Sequence, residues 1–595
     1  MVVRCVVVVV VVMMVVTEAG TTRFGWRPLT NVTPEEIEKG RNLPDSPPVA
    51  TSTYHLTELL QQEVQVVTRL RELADELMTA HQACRSNYTH LYLTSWDELE
   101  RGGARSAEFV YHPLHAYALT KHLSLRWPPL QEATRRLHNH SHHIEWILGR
   151  EASAVRELDM LAAGVARLHD YYSLNLTALT QSNLISLLSS QPIPITIPVS
   201  VSDLNYIGSR AAAANIWNSG VDFLGVALKL SLENTSLQQP HSSDTLEPQH
   251  QLATMFNRTV QMHDQLLERK GRRSKYHSAH PLPINTTLAK KRKYHKRVKE
   301  KWEEAVVLGR AGTQLQGIEQ SMTLCRGHDI RPVNITSHLY CRYINNGSPL
   351  YLIGPLRMEV VSLVPYIVTL QGVVTSREAQ DIKVTSSAFL EASSTVRFNG
   401  GKEISYQRTS STYSRRCRLQ ASRSPTIWIW IFGAFAEIVH RAWLYEHNNN
   451  HLKQLTTRIE TLLGVSAQEH VSAEAYQVVN YGAGGHYTVH HDTLTVPYLA
   501  HLRIATFLVY LSDVPQGGWT VFPWLGVGVA PKQGSALLWY NVNRAGVKDE
   551  RVYHAACPVL FGDKWVINKW LHYGGQTLKV PCLPDSQSHI ALPLN

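Results

Sequence analysis

The chain has no long hydrophobic run. Its longest apolar stretch, residues 5–16, contains twelve residues, whereas a helix that spans a bilayer needs about 20. We therefore expect no membrane span and a soluble mature protein. The seven cysteines include no Cys-x-x-Cys pair, so neither a zinc site nor a thioredoxin-type redox site is indicated. No nucleic-acid-binding fold signature accompanies the basic residues, so a nucleic-acid partner is not expected.

The composition is that of a folded protein with several domains. Of the 595 residues, 44% are hydrophobic and 18% are charged. This length exceeds what one hydrophobic core can organise, so three to four domains are expected. Much of the net charge of +10 lies in the run from Lys290 to Lys299. We interpret this run as a solvated helix face or linker rather than a nuclear signal or a polyanion site.

The first 19 residues have the layout of a secretory signal peptide. Arg4 precedes the apolar run, and Ala19 follows it as a small residue suited to cleavage. A buried strand is the alternative, because valine favours strands. Six Asn-x-Ser/Thr sequons agree with a lumenal route and glycosylation. They begin at Asn87, Asn139, Asn175, Asn234, Asn285 and Asn334.

The cysteines predict two local disulfides in an oxidising lumen. Cys325 lies near Cys341 in the chain, and Cys557 lies near Cys582. Pairing within each couple is the simplest arrangement. Reduced thiols in the core are the alternative, which an intracellular protein would require.

The N-terminal half is predicted to be mainly helical. Between Ser52 and Leu77 apolar residues recur every three or four positions. This spacing predicts one long amphipathic helix, packed either in a bundle or against a second subunit as a dimer seam. Residues 181–200 are predicted to be a linker, and residues 203–230 a pair of helices joined near Gly220.

The C-terminal third is predicted to be rich in strands. Short β-type segments separated by glycine and proline turns suggest a jelly roll, that is, a double-stranded β-helix. The clearest segments are Ala475–Tyr481, Ile504–Leu511, Ala536–Tyr540 and Lys564–Trp570. The aromatic block at 425–444 is a buried strand, an insertion or sequence that does not belong to the mature protein.

A candidate metal site lies within this third. If residues 489–493 form a strand, His490 and Asp492 point to the same face and His491 points away. His554 offers a third ligand. Two histidines and one carboxylate that leave the opposite positions open are typical of non-haem iron(II) oxygenases. Structural histidines are the alternative, since His-x-Asp also arises by chance in a chain with 30 histidines.

An open metal site of this type also binds a co-substrate, and Lys564 can hold one. It lies ten residues after His554 on a predicted strand. Lysine suits a single buried carboxylate, because it is a compact charge with three donors. The sequence therefore predicts that Lys564 pairs with the remote carboxylate of 2-oxoglutarate. Tyr481 and Thr506 could add neutral hydrogen bonds.

Four motifs together resemble the catalytic domain of collagen prolyl 4-hydroxylase α subunits. They are Tyr481-Gly-x-Gly-Gly-x-Tyr-x-x-His-x-Asp, Arg503-Ile-Ala-Thr-Phe-Leu-Val-Tyr-Leu-Ser-Asp-Val, Gly517-Gly-x-Thr-Val-Phe-Pro and His554-Ala-Ala-Cys-Pro-Val-Leu-x-Gly-x-Lys-Trp-Val. The resemblance runs from about Val471 to Cys582. It departs at His486-Tyr-Thr-Val-His-His-Asp-Thr, where the family has Gln-Tyr-Glu-Pro-His-Phe-Asp-Phe.

The resemblance implies a role for each of these residues. His490, Asp492 and His554 would bind Fe(2+), and Lys564 would hold 2-oxoglutarate. L-ascorbate is implied as a further cofactor. The resemblance also matches the two predicted disulfides. Positions that match co-substrate contacts are Tyr481 and Thr506, and positions that match residues near the bound peptide are Trp570 and His572.

Earlier stretches resemble other domains of the same subunit. The implied organisation is a signal peptide (1–19), a helical N-terminal dimerisation domain (50–182), a tetratricopeptide-like peptide-binding domain (200–310) and a catalytic domain (350–582, core 471–582). In the peptide-binding domain Trp217 remains as an aromatic, while Ala212 and Asn218 replace tyrosines of the family. Aromatic grooves hold polyproline II strands, so this change bears on substrate preference.

As a whole, the resemblance implies a procollagen-proline 4-dioxygenase of the endoplasmic reticulum lumen. It would hydroxylate peptidyl proline in procollagen-like secreted proteins while 2-oxoglutarate is converted to succinate, in an α2β2 tetramer with protein disulfide isomerase. Two alternatives remain. The changed neighbours of His490 suit a non-catalytic subunit, and the lost tyrosines suit a hydroxylase of another proline-rich protein. The intact ligand set with Lys564 favours catalysis.

Overall fold

The computed structural model describes the greater part of the chain. The described residues are 52–80, 95–136, 154–236, 246–268, 314–387, 444–470, 472–493, 501–576 and 579, with short pieces between 390 and 413. The predicted signal peptide, the basic run at 290–299 and nearly all of the aromatic block at 425–444 lie outside them. Within the described stretches, no helix is both long and apolar enough to cross a membrane.

The N-terminal region is helical, as predicted. The helices of this region include α1 (Thr53–Ala80), α2 (Pro113–Arg136), α3 (Ala154–Tyr172) and α4 (Leu176–Thr180). The predicted apolar face of α1 buries Leu56, Leu60 and Val67 in a core shared with α2 and α3. This part of the face therefore packs inside the chain.

The predicted linker at 181–200 is a β-hairpin instead. Strand β1 (Asn183–Ser186) pairs antiparallel with β2 (Ser189–Pro194). The linker prediction was wrong because apolar residues of this polar segment reach the helical core, where Leu184 and Ile195 are buried. Long-range packing thus orders a segment whose composition indicates a loop.

Three further helices follow the hairpin, α5 (Val201–Ala213), α6 (Trp217–Ser236) and α7 (Leu246–Glu268). The turn between α5 and α6 lies at Asn215, which has a φ of 61°, and not at Gly220 as predicted. Asparagine is one of the few residues that tolerate this left-handed conformation. Gly220 lies inside α6, where an added Cβ would approach Thr259 of α7 to 3.3 Å.

The C-terminal domain is rich in antiparallel strands, as predicted. In chain order they are β3 (Cys341–Ile344), β4 (Leu356–Ser362), β5 (Ile367–Gln371), β6 (Leu390–Ala392), β7 (Ser394–Val396), β8 (Lys402–Ile404), β9 (Arg408–Thr409), β10 (Ser411–Tyr413), β11 (Gln477–Tyr481), β12 (His486–His490), β13 (Arg503–Tyr510), β14 (Gln516–Gly517), β15 (Thr520–Phe522), β16 (Val527–Val529), β17 (Ala536–Tyr540), β18 (His554–Ala556), β19 (Val559–Phe561) and β20 (Lys564–His572). The four strands singled out from the sequence all form, within two residues of the predicted bounds.

Most of these strands join one of two sheets. The major sheet has the order β3-β4-β5-β17-β13-β20-β11-β10-β6, and the minor sheet has the order β16-β15-β18-β12-β9. Side chains of the two sheets meet in one apolar cluster, in which Val479 and Trp539 of the major sheet pack with Phe522 of the minor sheet. The space between the sheets is where the candidate site lies.

The described part of this domain also contains helices. They are α8 (Gln314–Cys325), α9 (Val333–Thr336), α10 (Pro349–Ile353), α11 (Ser376–Ser387) and α12 (Asn450–Leu463). Helix α12 begins after the N-cap Asn449 and ends at Gly464, which has a left-handed φ of 64°. Its buried leucines pack on the major sheet, whereas α8 packs on the minor sheet.

Strand β20 shows how the alternation of side chains builds the site. Its residues with even numbers face the space between the sheets, and those with odd numbers face the helices. Lys564 and Lys569 therefore lie on opposite faces of one strand, although both are 1% exposed. Trp565, Ile567 and Leu571 belong to the core beneath α12.

The disulfide differs from the predicted pairing. Cys325 is bonded to Cys557, with 5.6 Å between their Cα atoms, while Cys341 is exposed and free. The pairing of Cys325 with Cys341 was wrong, because α8 ends against the minor sheet beside Cys557, whereas Cys341 begins β3 at the edge of the major sheet. The structure likewise contradicts the pairing of Cys557 with Cys582, a residue that lies outside the described stretches.

The disulfide can be identified by peptide mapping. After alkylation without reduction, a proteolytic digest should contain one cross-linked species that joins the peptides of Cys325 and Cys557, and Cys341 should be alkylated. Mass spectrometry before and after reduction provides the measurement. Recovery of a peptide that links Cys325 to Cys341 would contradict the structure.

Candidate active site

Two neighbouring strands of the minor sheet bring the predicted metal ligands together. His490 ends β12, His554 begins β18, and the two lie opposite each other in the antiparallel register. Asp492 follows two residues after His490. The strand predicted at 489–493 ends at His490, so Asp492 lies just beyond it. The three side chains each offer a ligand atom, and these atoms lie within 4.8 Å of one another.

Backbone carbonyls fix the orientation of both imidazoles. The Nδ1 of His490 lies 2.8 Å from the carbonyl oxygen of Thr488, and the Nδ1 of His554 lies 3.1 Å from that of Val552. A carbonyl can only accept, so each Nδ1 carries the proton and donates. Each Nε2 then keeps its lone pair, 3.6 to 3.7 Å from Oδ1 of Asp492. Metal-ligating histidines have this second hydrogen bond as a rule.

A buried chain of hydrogen bonds holds the carboxylate of Asp492. Thr506 donates from its hydroxyl to Oδ2 of Asp492 at 2.7 Å. Asn541 donates to the Thr506 hydroxyl at 3.0 Å and accepts from the indole of Trp539 at 3.0 Å. Because every member is satisfied, the chain fixes one carboxylate oxygen and leaves the other facing the histidines.

A second network supports the backbone of the same residue. Arg503 donates to the carbonyl of Asp492 at 3.1 Å, stacks on Trp570 at 4.0 Å and forms a bidentate ion pair with Glu474. His572 bonds Glu474 at 3.0 Å. Trp570 and His572, which were predicted to lie near the peptide, thus both face this network.

The charges around these carboxylates set their protonation. Burial alone would raise the pKa of Asp492, but attraction from His554 and His490 in their protonated forms, and from Arg503, holds this pKa well below its usual range. Burial also opposes ionisation of Glu474, while Arg503 and His572 lower its pKa to about 2. Both groups are therefore anionic near neutral pH, which is the form that binds a cation.

Lys564 is a buried cation without an acidic partner in the described part of the chain. Its Nζ lies 3.4 Å from the hydroxyl of Thr520 and 5.5 to 5.7 Å from the ring centroids of Tyr481 and Tyr510. Burial lowers its pKa to about 7. A carboxylate that entered this pocket would supply the missing counter-charge, so the pocket fits a dicarboxylic acid.

The site contains residues that the sequence did not single out. Asn541, Trp539 and Glu474 act through contacts with distant residues, and no local pattern marks them. Tyr510 could have been found, because it lies four residues after Thr506 on β13 and thus on the same face. His491 points away, as predicted, and its Nε2 donates to the carbonyl of Asp549. Trp217 begins α6, in the helical region.

Comparison with known proteins shows which families two regions of the chain resemble. The 2OG-Fe(II) oxygenase superfamily matches residues 476–572, and the prolyl 4-hydroxylase alpha-subunit N-terminal region matches residues 52–185. The chain is thus similar to the prolyl 4-hydroxylase alpha subunits in its N-terminal region and to the oxygenase superfamily in its C-terminal region. The oxygenase superfamily uses iron(II) and 2-oxoglutarate, and the His490–Asp492–His554 group lies within the matched residues.

Similar proteins include several prolyl 4-hydroxylase alpha subunits. The alpha-3 subunit of Bos taurus is 38% identical over 250 residues, which are 41% of this chain and 40% of that protein. The alpha-2 subunit of Gallus gallus is 28% identical over 555 residues, 89% of this chain and 94% of that protein. The match to alpha-3 thus spans about two fifths of that subunit, whereas the match to alpha-2 spans nearly all of it.

Comparison with solved structures also gave a match to part of the chain. The viral collagen prolyl hydroxylase from Paramecium Bursaria Chlorella virus-1 has 19% sequence identity to the chain and a TM-score of 0.25. The match covers 34% of this chain and 94% of the viral chain. A TM-score this low supports no conclusion about function.

Replacing Thr506 shows whether its hydroxyl orients Asp492 or contacts the co-substrate directly. In Thr506→Val, Asp492 loses a donor and Asn541 loses an acceptor, so metal affinity should fall by about 10- to 100-fold. Thr506→Ser, which keeps the hydroxyl, should restore it. Titration with Co(II), followed by absorbance, provides the measurement. Unchanged Co(II) affinity with weaker 2-oxoglutarate binding would instead favour a direct contact with the co-substrate.

The low pKa of Lys564 makes co-substrate binding depend on pH. Lys564 is protonated below about pH 7, and a bound carboxylate raises its pKa again. Above pH 7, binding must therefore take up a proton, and the affinity for 2-oxoglutarate should fall by up to about tenfold per pH unit. Calorimetric titration of the Co(II)-loaded protein between pH 6.5 and 9 measures this dependence.

Two variants serve as controls for that measurement. Lys564→Met should weaken binding by about 10- to 100-fold, and Lys564→Arg should remove the pH dependence, since a guanidinium stays protonated. Lys569→Met changes the other buried lysine of β20, whose Nζ pairs with Glu446 at 3.0 Å. It should lower the melting temperature without changing co-substrate affinity. A flat pH profile in the wild type would contradict the lowered pKa of Lys564, and unchanged affinity in Lys564→Met would exclude its role in co-substrate binding.

Proposed function

We propose that this chain is a catalytic subunit that hydroxylates peptidyl proline to 4-hydroxyproline in procollagen-like secreted proteins. The reaction is coupled to oxidative decarboxylation of 2-oxoglutarate to succinate. The observation that carries the proposal is the combination of three convergent ligands, His490, Asp492 and His554, with the buried cation of Lys564 in one oxygenase domain.

The ligand set fits iron(II) by its chemistry. Two neutral imidazoles and one carboxylate bind one face of the ion and leave other positions for ligands that exchange. His490, Asp492 and His554 would hold the metal through Nε2, Oδ1 and Nε2. When bound, the iron activates oxygen at the expense of 2-oxoglutarate, and this chemistry belongs to the cofactor.

The protein contributes orientation, charge and exclusion of water. The carbonyls of Thr488 and Val552 keep the imidazole protons on Nδ1, so the metal-facing nitrogens are ready to bind. Thr506 and Arg503 hold Asp492 in one position. Aromatic side chains line the ligands, with Trp539 packed against His554 and Tyr487 stacked on His490. A site that is dry and preorganised strengthens every electrostatic contact inside it.

Further roles belong to the same proposal. Lys564 holds the remote carboxylate of 2-oxoglutarate, with Tyr481 beside it, and Thr506 contacts the co-substrate or orients Asp492. Trp570 and His572 border the peptide, and Trp217 contributes to peptide binding in the helical region. Prolyl hydroxylases use ascorbate as well, and we assign no residue to it.

The finer organisation is also proposed. The two sheets would form a double-stranded β-helix, and α5 to α7 a tetratricopeptide-like peptide-binding domain within residues 200–310. Residues 50–182 would form the dimerisation domain, and 350–582 the catalytic domain with its core at 471–582. The chain would act in the endoplasmic reticulum lumen, after removal of residues 1–19, in an α2β2 tetramer with protein disulfide isomerase.

One feature favours a related substrate over collagen itself. Asn218, where the family has a tyrosine, is buried and bonds Nε2 of His263 at 2.6 Å. This position therefore offers no aromatic surface to a polyproline II strand. A hydroxylase for another proline-rich secreted protein is thus the second candidate. A non-catalytic subunit is a third, which the complete ligand set disfavours.

Succinate release tests the proposal directly. The full chain, co-expressed with protein disulfide isomerase, is supplied with iron(II), ascorbate, 2-oxoglutarate and a Pro-Pro-Gly repeat. We expect succinate to form only with peptide, together with 4-hydroxyproline detected by mass spectrometry. His554→Ala should lower the rate at least about 100-fold, because the metal loses one of three protein ligands.

The alternatives give different outcomes. Succinate formed with a polyproline peptide but not with Pro-Pro-Gly would support the second candidate. An iron-loaded wild-type protein that forms no succinate with either peptide would establish the non-catalytic subunit and exclude our proposal.

A further inference from the structure

Helix α3 of the N-terminal region contacts the oxygenase domain at the glycine turn before β12. Gly164 of α3 lies so close to Gly484 that a Cβ on Gly484 would come within 2.9 Å of the Gly164 backbone. Gly484 also has a left-handed φ of 68°. The turn and the helix thus meet backbone to backbone, an approach that only glycine allows.

Two side chains of α3 extend this contact. Arg167, which is 5% exposed, donates to the carbonyl of Gly484 at 2.8 Å. Tyr172, which is fully buried, donates from its hydroxyl to the carbonyl of Pro558 at 2.6 Å. Gly484 lies two residues before β12 begins, and Pro558 lies two residues after β18 ends. One helix therefore holds a carbonyl next to each of the two strands that carry ligand histidines.

The two held segments are also bonded to each other. Gly484 donates to the carbonyl of Val559 at 2.9 Å, and Val559 donates to the carbonyl of Gly485 at 3.1 Å. Strands β12 and β18 leave this point side by side and reach the site at His490 and His554. Their register shifts between Tyr487 and His490, so an irregularity of the pairing lies between the held end and the histidines.

The end of α3 is itself fixed to the oxygenase domain. Arg326, which follows the disulfide-bonded Cys325, donates to the carbonyls of Asp170 and Tyr171 in the last turn of α3. A cation there also compensates the partial negative charge of the helix end. Burial lowers the pKa of Arg326, and Asp170 raises it. The helix thus meets the domain through three separate contacts.

We propose that α3 positions the iron ligands of the oxygenase domain, with Arg167 and Tyr172 as positioning residues. The helix holds the far ends of β12 and β18 in one relative position, and the strands carry that position to His490 and His554. The N-terminal region is then required for the geometry of the metal site as well as for assembly. This inference rests on the proposed iron site.

Co(II) binding to the full chain, co-expressed with protein disulfide isomerase, tests the inference without turnover. The double variant Arg167→Met/Tyr172→Phe should bind Co(II) at least about 10-fold more weakly. Its d–d absorption bands should also change, because the ligand geometry is no longer fixed. Arg167→Lys, which keeps a donor, should fall between the double variant and the wild type.

A matched control removes another arginine that contacts α3. Arg210 of α5 pairs with Asp159 of α3 at 3.2 Å, inside the helical region. Arg210→Met should keep the wild-type Co(II) affinity and spectrum, even if its melting temperature falls. Equal loss of affinity in Arg210→Met and in the double variant would mean that general destabilisation is the cause.

The remaining outcomes separate this inference from the iron site. If the double variant has wild-type affinity and spectrum, α3 does not position the ligands and the inference is wrong. If the double variant does not fold, the single variants Tyr172→Phe and Arg167→Lys still test the inference. Each of them must change the Co(II) absorption spectrum if α3 positions the ligands. Failure of the wild type to bind Co(II) would contradict the proposed iron site instead.

Discussion

The register between β12 and β18 is the constraint on which the site depends. His490 and His554 lie opposite each other only in this pairing, and a slip of one residue would turn one imidazole to the other face of the sheet. The carbonyls that orient the imidazoles lie two residues before each histidine, so a slip would displace them as well. The two strands belong to the minor sheet, α8 packs on that sheet, and α3 bonds to the segments next to both strands.

The two charged residues of the site, Asp492 and Lys564, differ in whether the protein itself supplies a counter-charge. Asp492 has Arg503 close by in the protein, and one of its carboxylate oxygens accepts a hydrogen bond from Thr506. Lys564 lacks an acidic partner among the described residues, and burial opposes its protonation. The same strand shows the contrast, because Lys569 on its other face is paired with Glu446. The unbalanced charge is therefore where we propose that a ligand binds, whereas the balanced one is structural.

Local patterns in the sequence predicted the strands and the ligand set well. The β-type segments between glycine and proline turns predict β11, β13, β17 and β20. The spacing of two residues places His490 and Asp492 on the same face. The disulfide, the hairpin at 183–194 and the turn at Asn215 were missed, because each depends on which distant segment packs nearby. The bond of Thr506 to Asp492 belongs to this group, since fourteen residues and a change of sheet separate them.

The missing counter-charge of Lys564 also affects how the stability of the protein can be measured. A ligand that binds only the folded chain adds RT ln(1 + [L]/Kd) to the free energy of unfolding, about 2.7 kcal/mol at a hundredfold excess over Kd. With 2-oxoglutarate as the proposed counter-charge, the melting temperature of this protein becomes a function of the 2-oxoglutarate concentration. Two preparations, or a variant and its parent, have comparable melting temperatures only when that concentration is the same.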